Sequence, residues 1–123
     1  MTWQQVVGGI SGALSVGLGA YGAHGMMGRA ENFKTSFETG VRYQMVHSAL
    51  LVATPAICGS NIRAANIAGL CFTTGILLFS GSCCAVGLFE DRSYGKLAPY
   101  GGFSFIGGWL ALALLSRGKV KPH

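Results

Sequence analysis

The sequence predicts an all-α fold: a polytopic membrane protein whose single domain, residues 1–123, is an antiparallel four-helix transmembrane bundle. Four stretches contain no Lys, Arg, Asp or Glu, and each is at least 20 residues long: 1–28, 43–62, 64–89 and 97–116. Roughly 20 helical residues cross the ~30 Å core of a bilayer. Only 11% of the residues are charged, against about 25% in soluble domains, so little chain is left for a soluble module.

The first predicted span, residues 5–23, is rich in small side chains. Gly8 and Gly12 form a GxxxG step, and Ala13 and Gly17 form a second step of the same kind. In a bilayer small residues let helices approach closely. We therefore expect span one to be the central helix, close to span three or four. The N-terminus lacks the basic segment of a signal peptide, so this span is expected to be permanent.

The other elements follow in order. Phe33 and Phe37, one turn apart, predict a short interfacial helix over about 29–37, with an irregular loop as the alternative. Span two covers about 40–58, and a tight turn makes it the antiparallel neighbour of span three, about 64–88. A polar hairpin follows, and Pro99 suits the first turn of span four, about 99–116.

The net charge of +5 indicates anionic lipid rather than nucleic acid, because the basic residues lie in loops and in the tail. The densest basic cluster is Arg117, Lys119 and Lys121, for which we expect contact with lipid headgroups; a plain solvated tail is the alternative. Both termini fall on one side of the membrane. Basic residues are split four against five between the sides, so the charge rule does not set the orientation.

The sequence predicts no enzyme and no cofactor. The four cysteines form no CxxC pair, and we interpret them as small packing residues. No nucleophile–base pair or metal triad is visible. Any activity has to be built from span residues and short loops.

One polar constellation is predicted near a single membrane face. Its members are His24, Arg42, Tyr43, Gln44, His47, Ser80, Ser82 and Ser104. We interpret it as a hydrogen-bond network that fixes helix packing. The alternatives are a proton, ion or headgroup site made by some of these residues, or a metal held by the histidine pair.

His47 lies about two turns inside span two, where an unpaired imidazole would be costly. We expect its ring to bond a neighbouring helix. The candidate partners are Ser80, Ser82 and Ser104, followed by Tyr21 and Gln44.

Several motifs resemble a family of small four-helix membrane proteins. They are Ser11-Gly12-Ala13, Gly17 to His24 (GLGAYGAH), Thr39 to His47 (TGVRYQMVH), Leu78 to Ser82 (LFSGS), Pro99 to Phe105 (PYGGFSF) and Gly108-Trp109. The family is the domain of unknown function four-two-three, which includes bacterial inner-membrane members and the eukaryotic transmembrane protein two-five-six. The resemblance covers nearly the whole chain. It implies the four-helix membrane fold and no agreed activity, and its eukaryotic members suggest a mitochondrial, cardiolipin-rich membrane.

These observations favour a non-catalytic accessory or structural subunit of a larger inner-membrane, respiratory-type complex. A small oligomeric transporter or channel is the alternative. The expected partners are membrane lipids, including cardiolipin, and other membrane-protein subunits. The mitochondrial inner membrane is the expected location, with a bacterial inner membrane as the alternative.

Overall fold

The computed structural model describes residues 2–115, which form four long helices. The elements are α1 (Trp3–Gly25), α2 (Glu31–Cys58), α3 (Ile62–Gly75), a π-helical turn (Ile76–Ser80), α4 (Gly81–Phe89), a 3-10 helix (Arg92–Leu97) and α5 (Ala98–Leu115). α3, the π turn and α4 run on as one rod. Three segments are long and apolar enough to cross a membrane: Trp3–Gly25, Ile62–Phe89 and Arg92–Leu115. The predicted all-α membrane bundle is confirmed.

The predicted interfacial helix is not a separate element. α2 begins at Glu31 and continues through Pro55 to Cys58, so it merges that segment with span two. Phe37, which we expected at the interface, is 1% exposed and lies in a core cluster with Met26 and Cys84. Because Phe37 packs inside the bundle, its segment continues directly into span two as one helix.

α1 is not the central helix. It packs along α2 and touches α3 only lightly, whereas α2 and the rod of α3, the π turn and α4 pack against each other, and the same rod packs along α5. The expectation of a central span one, close to span three or four, was wrong. The glycines of α1 do permit close packing, but the helix buries one narrow stripe of Gln4, Gly8, Ser11 and Ser15.

Close backbone approach fixes how α1 lies on α2. A Cβ atom on Gly8 would lie 2.9 Å from the carbonyl oxygen of Ser48 and 2.8 Å from Cγ2 of Val52. Nearer the other end, a Cβ on Gly22 would lie 2.8 Å from the ring of Phe37. The contacts run in opposite directions along the two helices, which are therefore antiparallel.

The polar turn after α4 is held by local backbone geometry. Glu90 adopts a left-handed conformation with φ of 51° and ends the helix. The backbone N–H of Ser93 donates to Asp91 at 2.9 Å, and this hydrogen bond lowers the pKa of the Asp91 carboxyl. The turn returns the chain to α5, which packs against α3 and the π turn.

Replacing Gly8 by Ala should destabilise the bundle, because the new methyl group meets backbone that cannot move away. We expect a loss of about 1–3 kcal/mol, the usual range for overpacking. Gly9→Ala is the matched control, since a Cβ there meets no atom within 4 Å, and it should change stability by less than about 0.5 kcal/mol. Unfolding of the purified protein in mixed micelles measures both. Equal stability of the two variants would contradict the assigned α1–α2 contact.

Candidate functional site

His47 lies at the centre of a cluster of aromatic rings between α2, α3 and α5. Its side chain is 4% exposed. The imidazole stacks on Phe105 with ring centroids 3.6 Å apart and planes 13° apart. Phe72 and Trp109 pack at 5.8 and 6.0 Å. This cluster joins three helices around the imidazole of His47.

Both ring nitrogens of His47 have hydrogen-bond partners. The indole N–H of Trp109 lies 3.1 Å from Nε2, and because indole is only a donor, Nε2 must accept. The proton of a neutral ring is then on Nδ1, which donates to the carbonyl oxygen of Tyr43 at 2.7 Å. The partner comes from another helix, but it is Trp109 of α5 and not one of the proposed serines.

A second polar cluster joins α1 to α2. The side-chain amide of Gln44 donates to the carbonyl oxygen of Ser11 at 3.0 Å and lies 3.3 Å from its hydroxyl. Ser48 donates to the same hydroxyl at 2.7 Å. Gln44 therefore faces α1, whereas His47 faces α5. The structure divides the single network that we predicted into separate contacts on two sides of α2.

The three predicted serines have different surroundings. Ser104 of α5 donates to the carbonyl oxygen of Cys71 at 2.6 Å, which ties α5 to α3. Ser80, in the π turn, is 1% exposed. Its Oγ is the one buried side-chain polar atom without a hydrogen-bond partner among residues 2–115. Ser82 is also buried. His47 bonds Tyr43 and Trp109 and, contrary to the prediction, none of these three serines.

The remaining predicted residues lie at the surface. His24 and Arg42 are exposed, so His24 does not join His47. Tyr43 is 40% exposed, and its ring packs on Phe79 with centroids 4.7 Å apart. The basic tail residues lie outside the described residues: Arg117, Lys119 and Lys121.

Arg29 is a structural residue that sequence reasoning missed. Its guanidinium donates to the carbonyl oxygens of Leu88 at 2.7 Å and Gly87 at 3.3 Å, at the C-terminal end of α4. Glu90 lies 3.9 Å away. A cation is favourable beside the free carbonyls of a helix C-terminus. The position of Arg29 just before α2 was visible in the sequence, but its distant partner was not.

A matching set of contacts closes the opposite end of the bundle. Asn66 of α3 accepts from the indole N–H of Trp3 at 3.0 Å and from the side chain of Gln4 at 3.1 Å. Asn61 donates to the carbonyl oxygen of Leu115 at 2.9 Å. These two asparagines connect the first and last helices to α3. Nothing in their spacing along the chain indicated the pairing.

A groove of about 430 Å³ opens over the aromatic cluster. Its walls include Tyr43, Phe79, Phe103 and Trp109, and His47 lies at its base. The lining offers ring stacking and one phenol. His47 can serve as a base only by giving up one of its two bonds. Among residues 2–115, no group of three His, Cys, Asp or Glu side chains is placed to hold a metal ion.

Comparisons with known proteins identify relatives of this chain. Residues 18–102 match the model of a family described as protein of unknown function, DUF423. A UPF0382 membrane protein of Staphylococcus haemolyticus is 36% identical, over 89% of this chain and 90% of its own length. The UPF0382 membrane protein YwdK of Bacillus subtilis is 36% identical, over 89% and 91% respectively. No solved structure matches the chain.

The His47–Trp109 bond should be detectable as an energetic coupling. Trp109→Phe keeps a ring but leaves Nε2 of His47 without its donor, and His47→Phe removes the acceptor. In a double-mutant cycle the two changes together should cost less than their sum, by roughly 0.6–1.7 kcal/mol, the range for hydrogen bonds between membrane helices.

The control cycle pairs His47→Phe with Trp3→Phe, because Trp3 bonds Asn66. That pair should be additive within about 0.5 kcal/mol. Unfolding in mixed micelles gives all the values. Additive effects of the Trp109 and His47 changes would disprove the coupling.

Proposed function

The chain belongs to the DUF423 family of membrane proteins, and we propose that it is a non-catalytic accessory subunit of a larger inner-membrane complex. The observation that carries the proposal is the outward face of α1. Gly9, Ala13, Gly17 and Ala20 are exposed, and their spacing places them in one stripe. This outer stripe lies on the side of α1 opposite the buried stripe of Gln4, Gly8, Ser11 and Ser15.

The outer stripe is suited to a second helix. Within residues 2–115, a Cβ built on Gly9 or Gly17 meets no atom within 4 Å. Small residues in membrane helices favour close helix–helix contact, because backbones can then approach and gain dispersion energy. The buried stripe of the same helix already works in this way against Ser48 and Val52. We infer that a helix of a partner subunit packs on the outer stripe.

The polar groups of the described helices support a structural role. Gln44, Ser48 and Ser104 all bond a neighbouring helix, and His47 uses both ring nitrogens. Such contacts stabilise packing and leave few groups for chemistry. They also argue against the alternative of a small transporter, which needs a polar path rather than polar fasteners.

A location in a bacterial inner membrane is favoured by the relatives from Staphylococcus and Bacillus, whose names describe membrane proteins. The mitochondrial inner membrane is the alternative. A respiratory-type complex is the finer form of the proposal, and cardiolipin is its proposed lipid. Co-purified subunits that carry haem or iron–sulfur absorption would support that form, and their absence would count against it.

Site-specific crosslinking tests the interface. A photo-crosslinking amino acid at Ala13 should trap one defined partner in membranes, whereas the same group at Leu70 should not. Leu70 is also exposed, but it lies on α3. A crosslink to a second copy of this chain, or equal crosslinking at both positions, would overturn the accessory-subunit proposal.

Filling the outer stripe should release the partner. The double change Gly9→Leu with Gly17→Leu places bulky side chains where the second helix would lie, so we expect loss of the crosslinked and co-purifying subunit. Gly81→Leu is the control, because Gly81 is exposed on α4 and equally open. Both variants should unfold like the wild type in micelles. Retention of the partner by the double variant would contradict the proposal.

A further inference from the structure

A groove of about 370 Å³ runs between the C-terminal half of α1 and the first half of α2. Gly19, Gly22 and Ala23 form its α1 side, and Val41 and Met45 form its α2 side. The α1 side is made of small residues, and most of the lining is apolar. The groove lies on the outside of the bundle, at the end where the polar loops begin.

Two opposite charges line the mouth of this groove. Glu38 and Arg42 are both exposed and both line it. They are four residues apart on α2, so their Cβ atoms are neighbours about 6 Å apart. In the described part of the chain they form no ion pair with each other and none with another residue. The groove therefore combines an apolar lining with one carboxylate and one guanidinium that are not paired with each other.

We propose that this groove binds a phospholipid with a zwitterionic aminoethyl headgroup. The Arg42 guanidinium takes the phosphate, for which its planar fork of donors is suited. The Glu38 carboxylate takes the primary ammonium, which is separated from the phosphate by two methylene groups. The first part of one acyl chain lies along the apolar lining of the groove. The inference is independent of the proposed subunit role.

Charge complementarity favours this headgroup over the other common ones. An anionic glycerol headgroup satisfies Arg42 but offers no cation to Glu38. A choline headgroup brings a positive charge, but its quaternary nitrogen has no N–H to donate to the carboxylate. A primary ammonium alone gives both an attraction and a hydrogen bond, and charge-assisted bonds are the stronger kind.

The test uses the full-length protein, delipidated and reconstituted in an equal mixture of phosphatidylethanolamine, phosphatidylglycerol and phosphatidylcholine. Native mass spectrometry then measures which lipid stays bound. We expect phosphatidylethanolamine to be enriched at least about threefold over each of the others, as for one partly exposed ion pair. Equal retention of the three lipids, or preference for phosphatidylglycerol, would overturn the proposal.

Two variants separate the roles of the charges. Glu38→Gln should abolish the preference for phosphatidylethanolamine over phosphatidylglycerol, and Arg42→Gln should lower retention of all three lipids. Arg92→Gln is the matched control, because it removes one positive charge from the adjoining loop but not from the groove. All three residues are exposed, so unfolding in micelles should be unchanged. Wild-type lipid preference in Glu38→Gln would disprove the assignment.

Discussion

The contacts of α2 with its neighbours are the constraint on which the bundle depends. In a bilayer the lipid is as apolar as the helix surface, so burial alone gives little reason for helices to associate. The association must come from close contact and from hydrogen bonds. α2 supplies both, because Gly40 admits the backbone of the π turn, while Gln44 and His47 bond α1 and α5. The rod of α3, the π turn and α4 in turn packs along α5.

The surface of the bundle is apolar, unlike that of a soluble bundle. Ile10, Leu14 and Val16 of α1 are exposed, while the stripe that α1 buries is made of polar and small residues. α5 likewise exposes Phe103 and Leu114. Large apolar groups meet the lipid, and polar groups find partners inside. α2 differs from the other long helices because its first half carries Glu31, Lys34, Glu38 and Arg42, and it is not among the three segments that are apolar enough by themselves to cross a membrane.

Much of the fold could be predicted because it depends on length and hydropathy, which are local properties of the sequence. The turns follow from charges and prolines in the same way. The peripheral position of α1 could not be predicted, because the glycine content of a helix shows how closely a neighbour can approach it but not which neighbour does so. A hydrogen-bond partner for His47 could be predicted, because an unpaired imidazole at its depth in the membrane would be costly. That the partner is Trp109 and not Ser104 depends on how α5 is rotated about its own axis, and the local sequence does not indicate this rotation.

The π turn between α3 and α4 has a consequence for the third rod. The N–H of Gly81 bonds the carbonyl of Ile76, five residues earlier, instead of the usual four. The additional residue turns everything after it by about 100° relative to an unbroken α-helix. Gly69 and Phe72 before the turn serve one set of neighbours, whereas Cys84 and Gly87 after it meet Gly40 and Phe37 of α2. The two halves of the rod therefore present their packing residues in different directions around its axis. Deleting a single residue in the π turn would rotate one half relative to the other, and its side chains would no longer face their present neighbours.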